Sequence, residues 1–250
     1  MAKREDIIQF LNEYLLVSTI PDSSLNGLQV EGRAAVRKVV FGVSANLELF
    51  KRAKAVGADM IVVHHGLLWG QEQAIKGTFG RRIGFLLKNE ISLAGYHLPL
   101  DKHPVLGHNA LLIKSLQAKE LQPFANYHGQ TIGYAAQIPT ASLQTIARKL
   151  EKVCGATAFL MPFGPKKIST VGIVSGGGWS MITDAIAQGL DLFVTGSLDE
   201  PAQELCREGH LNCIALGHYN SEKIGVKALM ELVKKQFDVA TEFIDIKNPL

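Results

Sequence analysis

The run Met60-Ile61-Val62-Val63-His64-His65-Gly66 decides how this chain is read. Its apolar part, Met60 to Val63, has the length and β-branched content of a buried strand. It stops at two adjacent histidines, and Gly66 permits a sharp turn directly after them. Open α/β sheets place their ligands where strands end. Neighbours on a continuing strand point to opposite faces, so both imidazoles serve one site only if the backbone turns there.

The flanks give the strand its partners. Lys38 to Val43 reads as a strand, and Ser44 as an N-cap for a helix over Leu47 to Val56 that stops at Gly57. Arg81 to Lys88 is helical. Ile91 to Tyr96 is a strand leading into His97-Leu98-Pro99-Leu100-Asp101, and Asn109 to Leu116 is again a helix. Before all of these, Glu5 to Leu16 has one apolar stripe of Ile7, Ile8, Leu11 and Leu15.

Between Leu121 and Pro165 the texture changes to a small strand–helix–strand pattern bordered by prolines. The last third then repeats the first. Thr170 to Ser175, Asp191 to Thr195 and Asn212 to Leu216 are strands, and Ile182 to Ala187 is a helix stopping at Gly189. Gly189-Leu190-Asp191-Leu192 matches Gly57-Ala58-Asp59-Met60, and Ala215-Leu216-Gly217-His218 matches Leu93-Ala94-Gly95-Tyr96-His97. The expected fold is α/β: two similar α/β halves with mixed sheets packed by helices, and a small βαβ-like insert between them. The divisions are residues 1–120, 121–165 and 166–250, with the two halves forming one intertwined unit.

Composition narrows the function. The net charge of +3 is small, and no Lys/Arg run exceeds two residues, which argues against nucleic-acid binding. No apolar run reaches membrane-spanning length, and the N-terminus lacks a signal-peptide core. Cys154, Cys206 and Cys213 form no CxxC pattern, so a reduced, cytoplasmic setting is expected.

The strand ends collect metal-ligating residue types. The first half offers His64, His65, His97 and Asp101; the second offers His218 and, one helical turn on, Glu222. Imidazoles with carboxylates suit Zn, Fe, Mn, Ni or Co. This many donors exceeds the needs of one tetrahedral ion and suits two divalent ions sharing a carboxylate.

These residues lie within motifs that resemble those of the NIF-three-like family, whose members are also called GTP cyclohydrolase 1 type 2 homologues. The matching pieces are NGLQVEG (26–32), VVHHG (62–66), GYHLPLD (95–101), SGGG (175–178), VTGS (194–197), GHYNSEK (217–223) and FIDIKNP (243–249). The resemblance implies a dinuclear metal site with ligands His64, His65, Asp101, His218 and Glu222. It makes His97 a site-lining histidine suited to proton transfer. It also implies a ring-shaped homohexamer, and the short middle insert marks the short form of the family. Tyr219 stands where some relatives carry a second histidine.

Three functions follow. The first is a metal-dependent hydrolase in which a metal-activated water attacks GTP or a related nucleotide. The second is a non-catalytic metal-binding ring that acts as scaffold or regulator, and the third a metallo-phosphoesterase. Weaker signals stay open. Gly176-Gly177-Gly178 either cradles a phosphate or makes a tight turn that lets strand and helix approach the site. Trp69 either stacks on a base or packs its loop. His103 and His108 read as solvent-facing loop histidines, and the cysteines as structural.

Overall fold

The computed structural model describes residues 1–127 and 129–249. They fall into two units, residues 1–100 with 226–247, and residues 101–225 with those from Asn248 onward. In chain order the first unit contains β1 (Ala2–Lys3), α1 (Arg4–Tyr14), β2 (Gly27–Val30), β3 (Ala35–Val36), β4 (Lys38–Ser44), α2 (Leu47–Ala55), β5 (Met60–His65), α3 (Gly77–Lys88) and β6 (Ser92–Gly95). Helix α4 (Leu98–Lys102) leads into the second unit. There follow α5 (His108–Ser115), β7 (Lys119–Tyr127), β8 (Gln130–Ala141), α6 (Leu143–Cys154), β9 (Phe159–Pro162), β10 (Ile168–Val174), α7 (Ile182–Ala187), β11 (Leu192–Thr195), α8 (Ala202–Glu208) and β12 (Asn212–Ala215). Helix α9 (His218–Gln236) and β13 (Ala240–Phe243) return the chain to the first unit.

In the first unit the main sheet has the order β13-β4-β5-β6-β2. Strands β4, β5 and β6 are parallel, with Val40 opposite Ile61 and Ile61 opposite Leu93. Strand β5 is covered on both faces, which is why its sequence is apolar without alternation. Val40, Leu49, Phe50, Ile61, Val63, Leu86 and Leu93 belong to its core. The second unit has one sheet of order β7-β8-β10-β11-β12-β9, with β10, β11 and β12 parallel and both neighbours of that trio antiparallel. Helix α6 closes part of its core with Leu143, Ile146, Ala147, Leu150 and Cys154, all on one helical stripe. Ser142 caps that helix at the Thr145 N–H, and Gly155 ends it in the left-handed region. Residues 119–162 thus supply β7, β8 and β9 to a sheet they share with the last third of the chain.

The sequence repeat has a physical basis in one device built twice. After α2, the Gly57 N–H bonds to the Lys54 carbonyl and the Ala58 N–H to the Ala53 carbonyl. After α7, the Gly189 N–H bonds to Ile186 and the Leu190 N–H to Ala185. Both glycines have positive φ, 74° and 64°. Each is a Schellman ending. In each case the following aspartate takes two backbone N–H groups at the foot of the adjacent strand. Asp59 accepts from Arg37 and Lys38 at 2.8 and 3.2 Å, and Asp191 from Ser169 and Thr170 at 2.8 and 3.0 Å. Burial opposes the ionised Asp191 carboxylate, but these bonds outweigh it and hold its pKa below the usual carboxylate range.

Several boundaries move. Strand β5 runs on through both histidines, with Ser44 opposite His65, because β4 continues pairing to that point. Helix α9 starts at His218 itself. His108 is a fully buried helical residue rather than a solvent-facing loop histidine, with Nδ1 accepting the Gly225 N–H at 3.2 Å. Strand β13 pairs in parallel with β4, Glu242 opposite Val40, and completes the first sheet from the far end of the chain. Among the described residues no helix is long and apolar enough to cross a membrane.

Candidate metal centre

In the first unit, the ends of β5 and β6 bring His64, His65 and His97 together. One ligand nitrogen of each lies within 4.8 Å of the others. The His64 and His65 ring centroids are 4.5 Å apart, so the two neighbouring rings lie side by side at the point where β5 gives way to Gly66. His64 is fully buried and its Nδ1 donates to the Tyr96 carbonyl at 2.9 Å. The His65 Nδ1 is 3.1 Å from the Ser44 hydroxyl. The His97 Nδ1 donates to the Asp22 carboxylate at 3.0 Å. In each ring the protein engages Nδ1, which turns Nε2 toward the site. This is the arrangement in which outer partners fix tautomer and orientation for metal-binding histidines.

The segment from Asp22 to Gln29, which contains none of the candidate ligands, builds this support. Asp22 is the hub, with a side chain 1% exposed. Its carboxylate accepts from His97, from the Leu98 and Ser24 N–H groups at 2.9 and 3.0 Å, and from the Asn26 amide at 2.9 Å. The Asn26 Oδ1 accepts the His97 N–H at 2.7 Å. Gln29 holds the turn after the histidine pair. Its Oε1 accepts from the Leu67 N–H at 2.6 Å, and a Cβ on Gly66 would sit 2.2 Å from its Nε2. Gly66 is therefore required by close approach, and its φ is not in the left-handed region. The Asp22-Ser23-Ser24 spacing, with the Ser24 N–H returning to Asp22, is the one local signal that marks this aspartate as structured.

Burial raises the cost of ionising Asp22, yet the His97 hydrogen bond and charge, with the bonds from Asn26 and Ser24, pull its pKa down to about 2. The unfolded chain therefore binds this proton at a higher pH than the folded one. The resulting stability is present above about pH 4 and is lost as pH falls from there toward 2. At 1.36 kcal/mol per pKa unit it amounts to about 2 kcal/mol. Asp22→Asn should flatten this acid limb, which denaturant titration between about pH 2 and 6 reads directly. A limb of unchanged steepness would contradict it.

In the second unit, Asp101, His218 and Glu222 meet one turn, Ser175-Gly176. The Ser175 hydroxyl donates to Asp101 Oδ1 at 3.3 Å, and the Ser175 N–H to the Asn109 side chain at 2.6 Å. Asp101 and His108 offer ligand atoms within 4.8 Å of one another. On the other side of the turn, Glu222 Oε1 is 3.3 Å from His218 Nε2, and the His218 Nδ1 is 3.5 Å from the Ser197 hydroxyl. A Cβ on Gly176 would lie 2.2 Å from Glu222 Oε1 and 3.2 Å from His218 Nε2. The glycine run therefore serves close approach: Gly176 leaves the space that the two side chains occupy. Asp101 and Glu222 are 7% and 3% exposed, so both carboxylates are held largely out of water. Imidazole nitrogens together with buried carboxylates are a donor set suited to borderline divalent cations. On that chemistry, the residues present fit a metal.

Residues 2–249 match the family model described as Duf34/NIF3 (NGG1p interacting factor 3). A protein of Archaeoglobus fulgidus named "GTP cyclohydrolase 1 type 2 homolog" is 42% identical over 98% of both chains. The Escherichia coli K12 protein of the same name is 37% identical over 99% of both. Among solved structures, TTHA1606 from Thermus thermophilus superposes with a TM-score of 0.91 at 35% identity, covering 99% of this chain and 100% of that one. HcgD from Methanocaldococcus jannaschii, at 21% identity and a TM-score of 0.87 over 98% of both chains, shares the fold.

Proposed function

The chain belongs to the Duf34/NIF3 family, and from that premise we propose that it binds two divalent metal ions and hydrolyses a nucleotide, GTP or a close relative. The ligands in this reading are His64, His65, Asp101, His218 and Glu222. When bound, the ions supply Lewis acidity and lower the pKa of water toward neutrality. The observation that carries the reading is that the protein engages the Nδ1 of the three neighbouring histidines His64, His65 and His97, while His218 Nε2 lies 3.3 Å from the buried Glu222 carboxylate.

The chain's own residues then divide the work. Asp101 and Glu222 balance cationic charge as buried carboxylates. His97 keeps its Nδ1 proton on Asp22 and offers Nε2 for proton exchange with substrate, as a general acid–base group near the reacting atoms. Opening the purine imidazole ring at C8 and releasing that carbon as formate consumes two waters. The proposal includes assembly of six copies as a ring.

Elemental analysis of protein purified without chelator, followed by GTP turnover with each divalent metal and formate as the readout, tests this. Metal bound without any nucleotide turnover supports the scaffold reading instead. Phosphate release without formate supports a phosphoesterase.

A further inference from the structure

Trp69 lies on the loop after β5 and is left 39% exposed. Its ring centroid is 5.0 Å from that of His97 and 6.2 Å from that of His65. Those two imidazoles are 5.8 Å apart, and His64 lies behind them at 4.5 and 5.1 Å. The four rings form a graded series. His64 is fully buried, the His97 side chain is 20% exposed, and the indole is the most exposed. The indole is therefore the solvent-exposed member of a ring cluster that contains the three imidazoles.

The indole is held rigidly. Its Nε1 donates to the Gly66 carbonyl at 3.0 Å. The preceding Leu67 and Leu68 N–H groups are fixed by Gln29, and the Leu68 carbonyl accepts the Leu25 N–H at 2.9 Å. With its one polar group used inside the protein, the ring offers a ligand only a flat apolar π surface. Such a surface rewards ring area and ignores the pattern of donors and acceptors on a base.

We propose that Trp69 is the stacking platform of a substrate subsite and selects planar two-ring heterocycles over one-ring ones, without telling guanine from adenine. This rests on the nucleotide reading above and supplies the base-binding part of the same site.

The chain has two tryptophans, Trp69 and Trp179, so Trp179→Phe leaves Trp69 as the sole indole reporter. Guanosine, adenosine and cytidine triphosphates and inorganic triphosphate are titrated into the metal-containing protein. Quenching of Trp69 by the two purine nucleotides at similar concentrations is expected, with cytidine triphosphate about 10-fold weaker. Trp69→Leu should lower purine affinity about 5- to 100-fold, measured by calorimetry, and leave inorganic triphosphate unchanged. Trp69→Phe should recover part of the loss, which guards against misfolding of the leucine variant. Equal binding of purine and pyrimidine, or an unchanged preference in Trp69→Leu, overturns the platform. A change of oligomeric state in Trp69→Leu with ligand preference intact also overturns it and assigns the indole to a contact between copies. Metal content measured on the same samples is independent of these outcomes, so the metal reading can stand when the platform fails. If no nucleotide binds at all, both this inference and the nucleotide reading fall.

Discussion

Protein carrying Glu222→Gln is expected to keep its fold and to lose bound divalent metal. Glutamine matches the shape of glutamate, so the packing of α9 against its surroundings survives. What disappears is a negative charge in a site 3% exposed, where water screens little. The lost carboxylate also faces His218 Nε2 at 3.3 Å, so the two donors on successive turns of one helix no longer act as a pair. Disturbing a partner outside the ligand shell already costs about 10- to 100-fold in metal affinity. Removing a charged ligand should cost at least that. Elemental analysis with calorimetric titration of Zn²⁺ measures the effect, and near-ultraviolet circular dichroism checks the fold. His64→Ala should lose metal in the same way, while full occupancy in both variants would remove the metal centre as proposed.

Gly176→Ala should damage the same site without replacing any ligand. The added Cβ lands 2.2 Å from Glu222 Oε1, far inside any real contact distance. The backbone cannot swing away to relieve this. The Gly176 carbonyl accepts the Gly196 and Ser197 N–H groups at 3.1 and 2.8 Å, and its N–H donates to the Ser221 hydroxyl at 3.0 Å. The carboxylate must therefore move. Alanine is also strained at φ 61°, by about 1–2 kcal/mol. Gly189→Ala is the control, because Gly189 has a similar φ of 64° and nothing within 4 Å of the new Cβ. It should show the strain alone, as a lower unfolding midpoint with metal affinity unchanged. Gly176→Ala should show both losses. If the two variants bind metal equally well, the close-approach role of Gly176 is wrong.

The parallel core strands were legible because burial on both faces leaves a mark that needs no context, a short unbroken apolar run such as Met60 to Val63 or Phe193-Val194. The internal repeat was legible for a related reason. A Schellman glycine, the apolar residue after it and an aspartate that caps the foot of the preceding strand form one device, and these three residues are consecutive. Strand β13 left no such mark, since Ala240 to Phe243 is short and half exposed, and only pairing with β4 makes it a strand. His108 was misplaced because a histidine near a proline and a glycine looks like loop. Its burial comes from Gly225, more than a hundred residues away, whose lack of a side chain makes room for the ring.

By itself, the sequence determined the α/β class, the parallel strand–helix–strand units and the residue types able to hold a metal, because these depend on neighbours along the chain. Only the tertiary structure decided that Asp22, Asn26 and Gln29 fix the histidines of the first unit, and that Gly176 is an absence shaped to Glu222 and His218. Hydrogen-bond partners and excluded volume are set by segments distant in sequence. No periodicity along the chain records which carboxylate an imidazole will find, or which side chain will need the space a glycine leaves.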